Sequence, residues 1–148
     1  MAIQNSISLP PDENAVIHAM CEALVASGYM IKQQLSTIDK GIDIIAAHPQ
    51  TGIKILVEAK GGTSSMQNSK RYGKPYTQSQ VFDRVAKGIF TCLQLRTENS
   101  DKKSVRVILA IPDEPNFFKK YISTVASSLD SAGIEIWFPN SGTIDAPG

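Results

Sequence analysis

Residues 41–60 read Gly41-Ile-Asp-Ile-Ile-Ala-Ala-His-Pro-Gln-Thr-Gly-Ile-Lys-Ile-Leu-Val-Glu-Ala-Lys60. β-Branched residues run on both sides of a Pro/Gly turn, a pattern that predicts a hairpin with arms 41–47 and 53–59. Charge interrupts both arms. Asp43 breaks the first apolar run, and Glu58 and Lys60 close the second. Charges in apolar strands are costly unless paired or coordinated. Side chains alternate along a strand, so Glu58 and Lys60 share one face with Leu56. Asp43 joins them only in certain registers. Paired positions summing to 101 set it directly opposite Glu58, and a sum of 99 sets it one diagonal away. An even sum sends it to the other face unless a bulge intervenes. In the favourable registers the two Cβ atoms lie roughly 4.5–8 Å apart.

Upstream of the hairpin, 12–27 reads as an amphipathic helix. Val16, Ala19, Met20, Ala23 and Leu24 recur at three-and-four spacing, and Gly28 supplies a stop. A short strand is expected at 29–34. Downstream, a polar loop at 61–76 leads to Thr77-Gln-Ser-Gln80, a capping box opening a second helix. That helix is expected to bury Val81, Val85, Ile89 and Leu93. A strand at 104–111, a third helix at 115–131 and a strand at 134–138 follow. The order is α, β, β, β, α, β, α, β. It predicts a mixed-sheet α/β (α+β-like) fold with a meander first and a parallel crossover last.

Composition sets the frame. A chain of 148 residues, 42% hydrophobic and 20% charged, suits a single domain over 1–148. No run of about 18 apolar residues indicates a membrane span, and the first residues lack a signal-peptide pattern, so cytoplasmic residence is expected. Cys21 and Cys92 sit in helix-patterned segments and read as reduced core residues. The net charge of +1 is unevenly spread. Lys54, Lys60, Lys70, Arg71 and Lys74 stand against Glu58 alone, a local +4, while the rest of the chain carries −3. Such a patch suits a polyanionic partner.

Two carboxylates close together favour a hard divalent cation. Mg²⁺, with Mn²⁺ as a substitute, takes one or two carboxylates and keeps several waters beside substrate phosphate. A cation so held activates water and neutralises charge on a phosphoryl oxygen. Lys60, on the same face, would stabilise the developing negative charge.

Gly41-Ile42-Asp43, a spacer with a turn, and Glu58-Ala59-Lys60 together resemble the PD-(D/E)XK nuclease signature. The core order of that superfamily, αβββαβ, is similar to the order read above, and a C-terminal αβ completes it. The resemblance implies a restriction-endonuclease-like fold, with Asp43, Glu58 and the Ala59 carbonyl as metal ligands and Lys60 as the catalytic lysine. It also implies an assisting acid on the first helix, for which Glu13 is the candidate. Ile42 stands where the signature has proline.

Around this centre lies a set of expected substrate contacts. Gly61 and Gly62 would let a phosphate approach the backbone. Lys70, Arg71 and Lys74 are cations, and Tyr72 and Tyr76 could stack on bases or close over the groove. Gln80, Arg84 and Lys87 form a polar stripe on the second helix, where Gln80 reads equally well as a cap. The expected function is Mg²⁺-dependent hydrolysis of phosphodiesters in DNA, with RNA left open and a homodimer possible. The alternative is a nuclease-fold protein that binds nucleic acid or protein without cutting.

Overall fold

A computed structural model of the chain describes residues 10–36, 38–64 and 74–141. Its element order is α1 (Glu13–Ala26), β1 (Met30–Gln34), β2 (Ile44–Ala47), β3 (Lys54–Ala59), α2 (Gln78–Glu98), β4 (Val105–Ala110), α3 (Phe117–Ser123), α4 (Ala126–Ala132) and β5 (Ile134–Trp137). The five strands form one mixed sheet in sequential order. β1, β2 and β3 are antiparallel neighbours, whereas β3, β4 and β5 run parallel. Crossovers through α2 and through α3–α4 make the parallel pairs possible. The expected mixed α/β architecture, αβββαβ followed by a helical C-terminal crossover, is therefore present.

Alternation along the strands builds two cores. Ile44, Ala46, Ile55, Val57, Ala59, Ile108 and Ala110 face α1 and pack on Val16, Ile17, Met20 and Leu24. Leu56, Val107, Leu109 and Ile111 face the other way, onto Val81, Val85, Cys92, Phe118 and Ile122. Cys21 and Cys92 are free buried thiols in these separate cores. Among the described residues, no helix is long and apolar enough to cross a membrane.

Two expectations about helices need correction. α2 buries Val81, Val85, Gly88, Cys92 and Leu95, whereas Leu93 is 41% exposed and Ile89 only partly covered. The stripe turns because Gly88 meets the sheet: a Cβ there would stand 2.7 Å from Leu109 Cδ1. The single helix expected at 115–131 is two short helices. Between them, Ser123 Oγ donates to the Lys120 carbonyl and Thr124 Oγ1 to the Tyr121 carbonyl. Hydroxyls that bond back onto the preceding turn weaken a helix, and β-branched Thr124 and Val125 add to the break.

Candidate active site

The hairpin takes the register whose pairs sum to 101: Ile44 opposes Val57, Ile45 opposes Leu56 and Ala46 opposes Ile55. One step further, Asp43 stands opposite Glu58. β2 begins one residue later, at Ile44, yet Asp43 is held firmly in line. Its carbonyl accepts from the Leu35 N–H at 2.9 Å, and its Oδ2 accepts from the Ala59 N–H at 2.8 Å. Gln33 Nε2 fixes the preceding residue by donating to the Ile42 carbonyl at 2.8 Å. Asp43, Glu58 and Lys60 thus gather on the α2 side, at the C-terminal end of β3. The Ala59 N–H points toward Asp43, and the N–H and carbonyl of one strand residue share a direction. The Ala59 carbonyl therefore opens on the same side.

Lys60 Nζ lies 3.2 Å from Glu58 Oε1. Its stem crosses Gly88, where a Cβ would be 3.4 Å from Lys60 Cγ. Glu13, the first residue of α1, is brought in by the glycine pair that follows Lys60. A Cβ on Gly61 would stand 2.2 Å from the Glu13 backbone nitrogen, and one on Gly62 would stand 2.4 Å from the Glu114 carbonyl oxygen. The Gly62 N–H donates to the Pro11 carbonyl at 2.8 Å. Gly61 and Gly62 are buried, and what approaches them is the protein's own backbone. Their absent side chains are explained by docking the start of α1 on Gly61 and the segment at 114–115 on Gly62, and the expected phosphate approach at these two residues is corrected accordingly.

Negative charge dominates this end of the sheet. Burial first, then the charges of Asp43 and Glu13, pushes the Glu58 carboxyl up to about 7, although Lys60 opposes the shift. Burial likewise raises Asp43 against the opposing Ala59 N–H and Lys60. Glu13 is raised by burial and by Asp43, with Lys60 and Arg84 pulling the other way. Burial pushes the neighbouring Cys92 thiol up to about 12, which keeps it protonated and unreactive. Burial is the first cause of all three shifts, and buried carboxylate oxygens gathered in this way suit a hard cation. Among the described residues, no three His, Cys, Asp or Glu side chains converge as a ready-made metal cage. A pair of carboxylates with one backbone carbonyl is a partial shell, which suits an ion that keeps water and substrate oxygens.

The remaining expected contacts separate. Gln80 completes the capping box: its Oε1 accepts from the Thr77 N–H at 2.9 Å while Thr77 Oγ1 accepts from the Gln80 N–H at 3.4 Å. Lys87 and Lys74 are exposed, and the Lys74 carbonyl accepts from Thr63 Oγ1 at 2.6 Å. Lys70, Arg71 and Tyr72 lie outside the described residues. Arg84 is part-buried, its charge acting on Glu13, with its Cζ 5.0 Å from the centre of the Tyr76 ring and its Nη2 donating to Tyr76 Oη at 3.2 Å. Tyr76 is only 9% exposed, too covered to stack on a base. Its covered position had a sequence signal. Tyr76 precedes the N-cap Thr77, and Val81 sits four residues inside the helix, the two places of a hydrophobic staple. Both are buried in the same cluster.

No protein-family model matches the chain, and no curated protein matches it. Among solved structures, the chain is similar to an XisH family protein from Nostoc punctiforme PCC 73102. The two share 17% identity and a TM-score of 0.49, over 89% of this chain and 94% of that one.

Proposed function

We propose that this protein is a metal-dependent nuclease of PD-(D/E)XK type that hydrolyses phosphodiester bonds in DNA. The observation that carries the reading is the register of the hairpin, which sets Asp43 opposite Glu58 with Lys60 on the same face. Asp43, Glu58 and the Ala59 carbonyl would hold Mg²⁺, or Mn²⁺ in its place. When bound, the ion supplies a water of lowered pKa and neutralises charge on the phosphoryl oxygens. Asp43 is pre-oriented for this by the Ala59 N–H, so little ordering is needed when a ligand arrives. Lys60 keeps an ammonium beside the acids, where charge grows on the attacked phosphate. Glu13 sits at the start of α1 with a raised carboxyl, placed to hold a proton near the same centre.

A second reading is a protein of this fold that binds nucleic acid, or a protein partner, without cutting. It draws on the 3.2 Å contact of Lys60 with Glu58, which engages one of the ligand oxygens. Supercoiled plasmid incubated with the protein and Mg²⁺, beside an Asp43→Ala control, separates the two. Nicking that disappears in the control is the expected result. Binding of plasmid with no nicking in Mg²⁺ or Mn²⁺ would favour the second reading.

A further inference from the structure

We infer that Arg84 grips a phosphate of the nucleic-acid backbone and that Tyr76 is the positioning residue that holds it ready. The inference deepens the nuclease reading, because it names the substrate-side partner of the same site. It starts from how Arg84 is anchored. A part-buried guanidinium beside acids would ordinarily close onto one of them. Among the described residues, lysine and arginine form the ion pairs Lys60–Glu58, Arg106–Glu135 and Lys119–Asp113, and Arg84 belongs to none of them. Its plane instead rests over the Tyr76 ring, and a single Nη2 hydrogen bond to the Tyr76 hydroxyl fixes its rotation.

Among the described residues this anchoring uses one of the five N–H donors and leaves a planar fork for a bidentate partner, the geometry that phosphate oxygens match. Arg84 lies one helical turn before Gly88, the residue crossed by the Lys60 stem, and its charge acts on Glu13, so the fork stands on the side of α2 that meets Lys60 and Glu13. Tyr76 is itself immobilised. Its N–H donates to the Gly62 carbonyl at 2.9 Å, its ring is buried in the α2 core, and the capping box begins at the next residue. The ring is therefore a fixed platform tied to Gly62, two residues beyond Lys60, and it supports Arg84.

The test is binding of a short DNA duplex by the full chain, followed by fluorescence anisotropy across a salt series with Ca²⁺ replacing Mg²⁺ to suppress turnover. Arg84→Ala is expected to weaken binding about tenfold to a hundredfold and to lower the salt slope by about one phosphate contact. Tyr76→Phe keeps the platform and loses the hydroxyl, with an expected loss of about threefold. Tyr76→Leu is expected to approach Arg84→Ala in affinity, and combining the two to add little, since Tyr76 acts through Arg84. Tyr76→Phe keeps the question open to measurement should Tyr76→Leu fail to fold. Unchanged affinity and salt slope in Arg84→Ala would overturn the phosphate contact. Full additivity in the double variant would overturn the positioning role. Wild-type protein that binds DNA but never cuts it would overturn the hydrolysis and leave this contact standing. Cleavage and binding untouched by Arg84→Ala would do the reverse.

Discussion

At the start of β4, Arg106 forms a two-pronged pair with Glu135, Nε to Oε2 at 2.8 Å and Nη2 to Oε1 at 2.7 Å, and its Nη1 donates to Tyr29 Oη at 2.8 Å. At the far end of β3, Lys60 faces Glu58 at 3.2 Å, with Asp43 and Glu13 close enough to act on the same carboxyl. The two cations are about equally covered, 15% exposed for Arg106 and 14% for Lys60, but Glu58 is the more buried acid, 12% exposed against 28% for Glu135. The balance of charge around them differs as well. The Glu135 hydrogen bonds hold Arg106 firmly charged, above its ordinary value. Burial first, with Asp43 and Glu13 adding to it and Lys60 opposing, leaves Glu58 at about 7. A paired charge on a sheet explains itself as structure, whereas a buried acid raised by burial and by neighbouring acids is the kind of group found at functional sites.

The contrast breaks most sharply on catalysis. Asp43→Ala is expected to lower plasmid cleavage by at least about a thousandfold, while Arg106→Leu leaves the rate per folded molecule within about twofold. Equal losses in the two variants would erase the distinction between the ends of the sheet.

Stability should respond with opposite signs. Arg106→Leu strands Glu135 and is expected to cost about 1–3 kcal/mol in urea unfolding. Glu58→Gln removes a charge that the fold holds unwillingly. Because the Glu58 carboxyl titrates at about 7 rather than 4.5, the folded protein binds more protons between those values. Stability therefore falls as pH rises through that window and stays lower above it. Glu58→Gln is expected to raise stability on the order of 1–3 kcal/mol at pH 8, shrinking toward nothing near pH 4. A loss at pH 8 without metal would mean that Glu58 is a structural partner of Lys60.

Mg²⁺ should give the smallest shift. At ten times its dissociation constant it is expected to stabilise the wild type by about 1.4 kcal/mol, read as a rise in Tm. The rise should be greater at pH 8 than at pH 5.5, where protons compete for the same carboxylates. Arg106→Leu should retain it.

Much of this was legible in the sequence because it depends on local rules. The strand period, the turn at 48–52 and the placement of charge in apolar runs select one face for Glu58 and Lys60, and the Thr77–Gln80 box marks the start of α2. Register was legible only as a choice, since the sum of 101 is selected by packing on both faces of the sheet. The helix stripe departs from the apolar pattern at Gly88, where a missing side chain, rather than an apolar one, faces the sheet. Gly61 and Gly62 suggested a phosphate because a sequence shows that room is made but not what fills it. Here α1 and the segment at 114–115 fill it. Tyr76 was misread for a related reason: an aromatic in a basic loop resembles a stacking platform for bases, and only the fold places a guanidinium on it.

Calorimetric titration of the full chain with Mn²⁺ at pH 8, beside Asp43→Ala, puts the central claim to the most direct test. Saturable binding by the wild type, abolished or weakened at least about tenfold in the variant, is the predicted result. Equal binding by both proteins, or none by the wild type at millimolar Mn²⁺, would contradict the assignment of Asp43 and Glu58 as a cation-holding pair.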